Sequence, residues 1–385
     1  MRVVQITTDS REHFKDYHTA APYFGAAPEA LLAGFAVLPA VEVHVICCLR
    51  STVPSTPKLA QNIHYHPVLV PKSGWMSSLY YGCSAKVREL CQRLQPDIVH
   101  GQGTERECAI TAVRSGFPNV VTIHGNVKEL HRLGMFGAGL YGPMASFFES
   151  RALRRTTGVF CNSAYTQNLV APRAEQTWLV PNAIRAEFFQ PLVSQGKRDI
   201  PTFVIVGLIC PRKRQLELLR MAGEIVRSGR QMQVVFAGSL SEESNYGAEF
   251  GAELRLAEAA GYAEFAGFLD VQALIMLLDS SHAFLHFPSE ESFGLVVAEA
   301  MARGLKFFGA RLGGIVDIAS GIDGAELHDD FESLQSGIIR WLDSDCPSPI
   351  LAADEIVRRY HPKVIAGAHL EIYREVLGKQ THRSR

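Results

Sequence analysis

Along this chain, short apolar runs alternate with longer stretches whose apolar residues recur every three to four positions. The short runs are rich in Val, Ile and Phe and predict strands. In the first half these are Val3–Ile6, Val43–Cys47, Asp97–His100, Val120–His124, Val159–Asn162 and Trp178–Val180. In the second half they are Phe203–Gly207, Gln233–Ala237, Glu264–Ala266, Ala283–Phe287 and Lys306–Gly309. Strands that stay apolar at successive positions are covered on both faces, and helices between them predict parallel sheets. The segment Gln190 to Pro201, QPLVSQGKRDIP, is polar and flanked by prolines, which predicts a linker. The fold class is therefore α/β, with two doubly wound Rossmann-like domains facing each other across a cleft. The expected boundaries are 1–190, a linker at 191–201, and 202–361. A last amphipathic helix runs from about Pro362 to Leu377, followed by a basic tail, Lys379–Arg385.

Composition narrows the function classes. The 385 residues are 47% hydrophobic and 20% charged, with a net charge of −1, so no bulk basic field points to nucleic acid. Eight cysteines are scattered without C-x-x-C pairs or zinc spacing, and several lie in apolar runs. They are expected to be buried and reduced. The opening MRVVQITTDS has too short an apolar run for a signal peptide. The longest uncharged apolar run, Ala30 to Val41, is far short of a membrane span. The expected location is cytoplasmic, with a peripheral place at the inner face of the membrane left open.

The densest chemistry lies in PSEESFGLVVAEAMARG, residues 288–304. A buried strand, Ala283–Phe287, leads into a turn containing Gly294, then a helix through Arg303. Helix starts offer unpaired N–H groups and partial positive charge, which suit a phosphate. Glu291 in the turn would repel a phosphate and suits sugar hydroxyls. Glu299 lies six residues past Phe293, roughly 9 Å along a helix, and suits a second hydroxylated part of a ligand such as a ribose. On spacing alone, an amphipathic helix with solvated acids is the favoured reading.

The full string resembles the E-x7-E signature of the retaining glycosyltransferases of the GT-B fold, glycosyltransferase family 4. The matching positions are Pro288, Ser289, Glu291, Phe293, Gly294, Glu299, Ala300, Met301, Gly304 and Gly313-Gly314. The resemblance implies a GT-B fold and a hexosyltransferase dependent on a nucleotide-diphosphate sugar, without a metal or other cofactor. It implies that Glu291 holds the donor hexose and Glu299 the ribose, with Ser292, Phe293, Gly294 and Leu295 at the diphosphate. It also implies that the final helix, 362–385, returns to the first domain. The acceptor, a glycan, lipid or small molecule, would bind the first domain.

Other segments join this picture. GLICPRKRQLELL, Gly207 to Leu219, puts Arg212, Lys213 and Arg214 at a helix start, where cations oppose the helix dipole unless an anion compensates. A solvated basic turn is the alternative. In the resembling family a lysine here clamps the leaving diphosphate and maps onto Lys213. The family arginine is replaced by Leu208, so Arg212 or Arg214 supplies the second clamp, and the usual glycine after the lysine is Arg214. VVTIHGN, Val120 to Asn126, ends a strand at His124, the resemblance's catalytic histidine. PDIVHGQGTERECA carries His100, Gln102 and Glu105, structural or acceptor-facing. Gly25 in YFGAAP would approach the diphosphate, and Gly267 in AEFAGFLD the base. Asn182 in VPNAI is structural, and Lys306 stands where the family usually has proline.

Several patterns carry no site. Gly137 to Gly142 satisfies G-x-G-x-x-G but follows no strand. His282 and His286 lie four apart on a strand, so they do not share a helical face, and His64-x-His66 lacks partners. Phe136 to Arg155 reads as core packing, a membrane face or an acceptor face. Two other functions stay open: a sugar-nucleotide hydrolase or epimerase, and a non-catalytic sugar-nucleotide-binding protein.

Overall fold

The structure is a computed structural model that describes residues 1–54, 56–136, 139–191 and 196–383. Residues 192–195 of the expected linker, residues 384–385 of the expected tail and Gly137-Ala138 of the glycine pattern lie outside the described residues. Two compact units divide the chain. The first is Met1–Arg185 with His361–Arg385, and the second is Ala186–Tyr360.

The first unit is built on eight strands: β1 Arg2–Ile6, β2 Glu42–Leu49, β3 Lys58–Ala60, β4 Ile63–Leu69, β5 Ile98–Gln102, β6 Asn119–Ile123, β7 Val159–Cys161 and β8 Thr177–Leu179. Their order in the sheet is β3-β4-β2-β1-β5-β6-β7-β8, and all pairs are parallel except the edge pair β3 and β4. Chain order reverses between β1 and β5. Ligands of open α/β sheets bind at such a reversal, outside the carboxyl ends of the strands. Val3, Val43, Val45, Ile98, Val120 and Phe160 are fully buried. The helix Pro362–Arg383 packs on this face through Ile365, Ala366, Tyr373 and Val376. It extends well past the expected end at Leu377. Gly34 of the helix Ala26–Ala36 makes that packing close, because a Cβ there would lie 2.2 Å from the Pro362 carbonyl oxygen.

The second unit carries six parallel strands: β9 Thr202–Val206, β10 Gln233–Ala237, β11 Ala263–Gly267, β12 Ala283–His286, β13 Lys306–Ala310 and β14 Ala325–His328. Their order is β11-β10-β9-β12-β13-β14, so chain order reverses between β9 and β12. Phe203, Val234, Phe236, Phe284, Leu285 and Phe308 are fully buried between helices. Residues in and just before the expected linker are tied to this unit. The Arg303 guanidinium donates to the carbonyls of Phe188 at 3.1 Å and Gln190 at 2.5 Å, and grips Asp279 at 2.7 Å. Arg198 pairs with Glu264 at 2.8 Å.

Three strands were not expected from sequence: β3, β4 and β14. In β4, IHYHPVL, histidines and Pro67 interrupt the apolar pattern. His64 and His66, set aside as a metal-binding pair, have side-chain neighbours across the sheet. The register of β2 on β4 sets His44 beside them, with His44 Nδ1 2.9 Å from His66 Nε2 and Glu42 3.6 Å from His64. All eight cysteines are free thiols, six of them buried. No helix among the described residues is long and apolar enough to cross a membrane.

Candidate functional site

In the second unit the candidate residues gather at the carboxyl ends of β9 and β12, where the strand order reverses. Three loops are stitched together there by backbone bonds. Ser289 N–H, after β12, donates to the carbonyl of Arg212, after β9, at 2.8 Å. Gly314 N–H, after β13, donates to the carbonyl of Glu291 at 3.0 Å. The second contact requires glycine: a Cβ on Gly314 would lie 2.4 Å from the Ser292 carbonyl oxygen and 2.5 Å from the Phe293 Cα.

The basic turn is shaped by its own sequence. Buried Gln215 accepts from Cys210 N–H at 3.2 Å and donates to the Leu208 carbonyl at 2.9 Å, holding the loop that leads to Lys213. Leu208 itself is exposed. Arg214 takes the left-handed conformation, φ 55°, directly before the helix Gln215–Arg227. That conformation costs an L residue energy and explains why glycine is usual there. The two flanking arginines part company. Arg214 lies over the Phe331 ring at 5.9 Å, whereas Arg212 donates to the Glu290 carbonyl at 3.0 Å and sits 3.7 Å from the Glu290 carboxylate. Arg212, not Arg214, therefore shares the loop of Glu291.

Lys213 and Glu291 form a mostly buried ion pair through Nζ and Oε2. His286, at the end of β12, reaches the same Oε2 at 3.1 Å and lies 3.5 Å from the lysine nitrogen. Burial alone would raise the Glu291 pKa, but the Lys213 charge and the His286 hydrogen bond hold it far below the usual carboxylate range. His286 is 2% exposed, and burial with the Lys213 charge pulls it down to about 4. It is neutral at pH 7 and can donate one N–H to the carboxylate. Neighbouring Glu290 behaves oppositely: burial raises its pKa, against the pull of Arg212.

The helix expected from Phe293 runs from Leu295 to Ala302, capped by Gly294 at φ 98°. Phe293 is buried against the Tyr360 ring, and the Ser292 hydroxyl lies 3.4 Å from Glu290. Glu299 is only 2% exposed on this helix. Gly207 leaves β9 at φ 142°, and Gly238 packs so closely that a Cβ on it would lie 2.1 Å from the Gly207 oxygen. Gly267 ends β11 at φ 70° and accepts from Gly238 N–H at 2.7 Å.

In the first unit, His124 follows β6, and its Nε2 lies 3.0 Å from the side-chain amide oxygen of Gln102. Burial pulls its pKa down to about 4, against the Asn182 side chain beside it. Asn182 lines the same small hollow as Gln102, His124, Ala27, Leu31 and His369. Gly25, at φ 90°, caps the helix that supplies Ala27 and Leu31. Glu105 accepts from Gly125 N–H at 2.9 Å, fixing the backbone after His124, and its pKa is raised by burial. His100 is fully buried between the Tyr373 hydroxyl at 2.5 Å and the Thr122 hydroxyl at 2.7 Å, so its place is structural.

Sequence reasoning passed over His286, Gln215 and Glu290. In the sequence His286 reads only as half of a histidine pair with His282. Its position two residues before the proline of the Glu291 loop was the available signal. Lys306, in the family's proline position, is buried beside Glu326 and lies 4.9 Å from the Phe308 ring centre.

Comparison with known proteins adds a consistent frame. The family model described as Glycosyltransferase Family 4 matches residues 38–188, and the one described as Glycosyl transferases group 1 matches residues 200–344. No curated protein matches the chain by sequence. Among solved structures, sucrose-phosphate synthase from Thermosynechococcus elongatus superposes with a TM-score of 0.77 at 17% identity, covering 98% of this chain and 100% of the other. Anabaena HepE in complex with UDP-glucose gives 0.71 at 17% identity, covering 97% and 100%. A glycosyltransferase from Rickettsia africae gives 0.72 at 14% identity, covering 98% of each. The folds are alike: two parallel-sheet α/β domains.

Proposed function

We propose that this chain, which belongs to the glycosyltransferases of family 4 and group 1, moves a hexosyl unit from a nucleoside-diphosphate sugar to an acceptor, with retention of anomeric configuration and without a metal. The observation that carries the reading is the Lys213–Glu291–His286 cluster at the strand reversal of the second unit.

The chemistry asked of these residues is charge stabilisation. As the bond between the sugar C1 and the diphosphate oxygen breaks, its electron pair goes to the phosphate. Lys213, Arg212 and the N–H groups at the start of the helix Leu295–Ala302 meet that charge, the kind of electrostatic help that often contributes most to catalysis. The acceptor hydroxyl oxygen bonds C1 on the same face, and its proton passes to the departing phosphate. Glu291, ionised throughout the neutral range, accepts hydrogen bonds from sugar hydroxyls. Glu299 serves the ribose. His124, neutral, offers one further hydrogen bond to a sugar hydroxyl. Gln102 and Glu105 belong to the acceptor side. A glycan, a lipid-linked sugar or a small molecule are all suitable acceptors. Because HepE was solved with UDP-glucose, uridine donors are the first to try.

The test is a thermal-shift panel of uridine, guanosine, adenosine and thymidine diphosphate sugars. A ligand at about 100 times its dissociation constant adds roughly 2.7 kcal/mol of apparent stability. A shift with one nucleotide class, lost in Glu291→Gln, supports the reading and selects the donor for acceptor screening by product NMR. No shift with any donor overturns it. Free sugar released at the full rate without acceptor would identify a hydrolase instead.

A further inference from the structure

The helix Tyr141–Leu153 and its two capping residues carry a largely exposed stripe on one side. Leu140, Phe147, Arg151 and Arg154 follow one another at spacings of seven, four and three, which places them on one side. Leu140 is 79% exposed and Phe147 57% exposed. The helix's one acid, Glu149, is buried and committed to Arg173 at 2.7 Å. Arg155 follows directly.

Next to this stripe lie two more arginines from other elements. Arg114, at the end of the helix Cys108–Val113, donates to the Leu79 carbonyl at 2.6 Å and lies over the Tyr81 ring at 4.4 Å. Arg88 donates to the Arg114 carbonyl at 2.6 Å. Burial lowers the Arg114 pKa, and the nearby charges of Arg151, Arg155 and Arg88 lower it further. Among the described residues, none of Arg88, Arg114, Arg151, Arg154 and Arg155 forms a salt bridge. A helix C-terminus favours cations, which accounts for Arg151 and Arg154 alone. It does not account for three elements bringing like charges together. Tyr81, 60% exposed, and Leu79, 44% exposed, continue the apolar component.

We propose that this face of the first unit docks on a membrane surface bearing anionic headgroups. Charge complementarity names an anionic partner. The exposed Leu140, Phe147 and Tyr81 choose a lipid surface over a nucleic acid, because a phosphate backbone needs the arginines but not the aliphatic and aromatic side chains. A bilayer interface takes both. The inference stands on the first unit alone and is independent of the glycosyl-transfer reading.

Co-sedimentation with vesicles of phosphatidylcholine, alone or with one third phosphatidylglycerol, tests it. The expected result is binding to the anionic vesicles only, weakened by salt. The triple variant Arg151→Ser, Arg154→Ser, Arg155→Ser should bind roughly 100-fold more weakly, at about fivefold per arginine. Phe147→Ser should weaken binding with the charge unchanged. Both variants should keep the wild-type unfolding midpoint and any donor-induced thermal shift. Equal binding to both vesicle types, or wild-type binding by the triple variant, overturns the proposal. So does binding to duplex DNA that Phe147→Ser leaves intact while anionic vesicles fail to bind, which would mark a polyanion site.

Discussion

His286 Nε2 lies 3.1 Å from the Glu291 carboxylate oxygen that also receives Lys213. With its pKa near 4, His286 is neutral, and because a carboxylate only accepts, its bond to Glu291 uses the tautomer with the proton on Nε2. It thereby fixes one oxygen of Glu291 and leaves the other for a ligand. A positioning histidine predicts graded losses. Glu291→Gln should lower turnover by roughly 10²–10³-fold, as removal of a group acting on the reacting sugar does. His286→Leu should cost about 10- to 100-fold through misplacement of Glu291, and His286→Gln, which keeps a donor, less. Steady-state kinetics with the donor found by the shift panel would measure this. Wild-type kcat in His286→Leu would reduce His286 to packing.

The Lys213–Glu291 pair also constrains which variants are informative. Both side chains are mostly buried, so removing one strands the other charge, at a cost of about 3–5 kcal/mol. Lys213→Ala is therefore expected to unfold more easily as well as to lose activity. The double variant Lys213→Ala, Glu291→Ala should recover much of that stability while staying inactive. Urea unfolding of the two single variants and the double variant closes the cycle. Additive losses would show that the pair is not coupled.

Arg214 makes a different kind of prediction. It holds φ 55° with a full side chain, where the resembling family has glycine. The left-handed conformation costs an L residue about 1–2 kcal/mol, against about 0.5–1 kcal/mol for the extra chain entropy of glycine. Arg214→Gly should leave stability unchanged or slightly raised, despite the lost contact with Phe331. Arg214→Val, β-branched at the same φ, should fall below wild type by at least about 1 kcal/mol. Melting temperatures of both variants against wild type check this, and an Arg214→Gly variant that melts well below wild type would mean the Phe331 contact dominates.

The strands that hold the cluster were legible because β9, β10, β12 and β13 are buried on both faces and so carry unbroken apolar runs. Glu291 and Lys213 were legible through motif spacing. The meeting of His286 with them was not, because it depends on β12 lying beside β9 and bringing residues 73 apart in sequence into one cluster. The strand β4 was hidden for a local reason: its alternate histidines face His44 and Glu42 at the sheet margin, so they look like loop residues in one dimension. Arg214 was equally opaque, since nothing in the residue type announces a positive φ.

The buried histidines set an acid limit on the fold. Burial brings His286 and His369 down to about 4, well under the ordinary value near 6.5. Between these values the unfolded chain binds a proton at each site and the folded chain does not. Stability is therefore complete above about pH 6.5 and falls as pH drops toward 4, by up to about 1.4 kcal/mol per pH unit for each histidine. His369 lies flat on Phe160, ring centres 4.6 Å apart, and its Nδ1–H donates to the Ile365 carbonyl at 2.9 Å. Replacing it by Phe keeps the stacking and removes the titration. His369→Phe should lose some stability at neutral pH, yet lose less on acidification than the wild type, with a slope shallower by about one proton. Urea unfolding at about pH 7, 6 and 5 measures both slopes. Parallel slopes would mean that His369 takes up its proton in the folded state as readily as in the unfolded one.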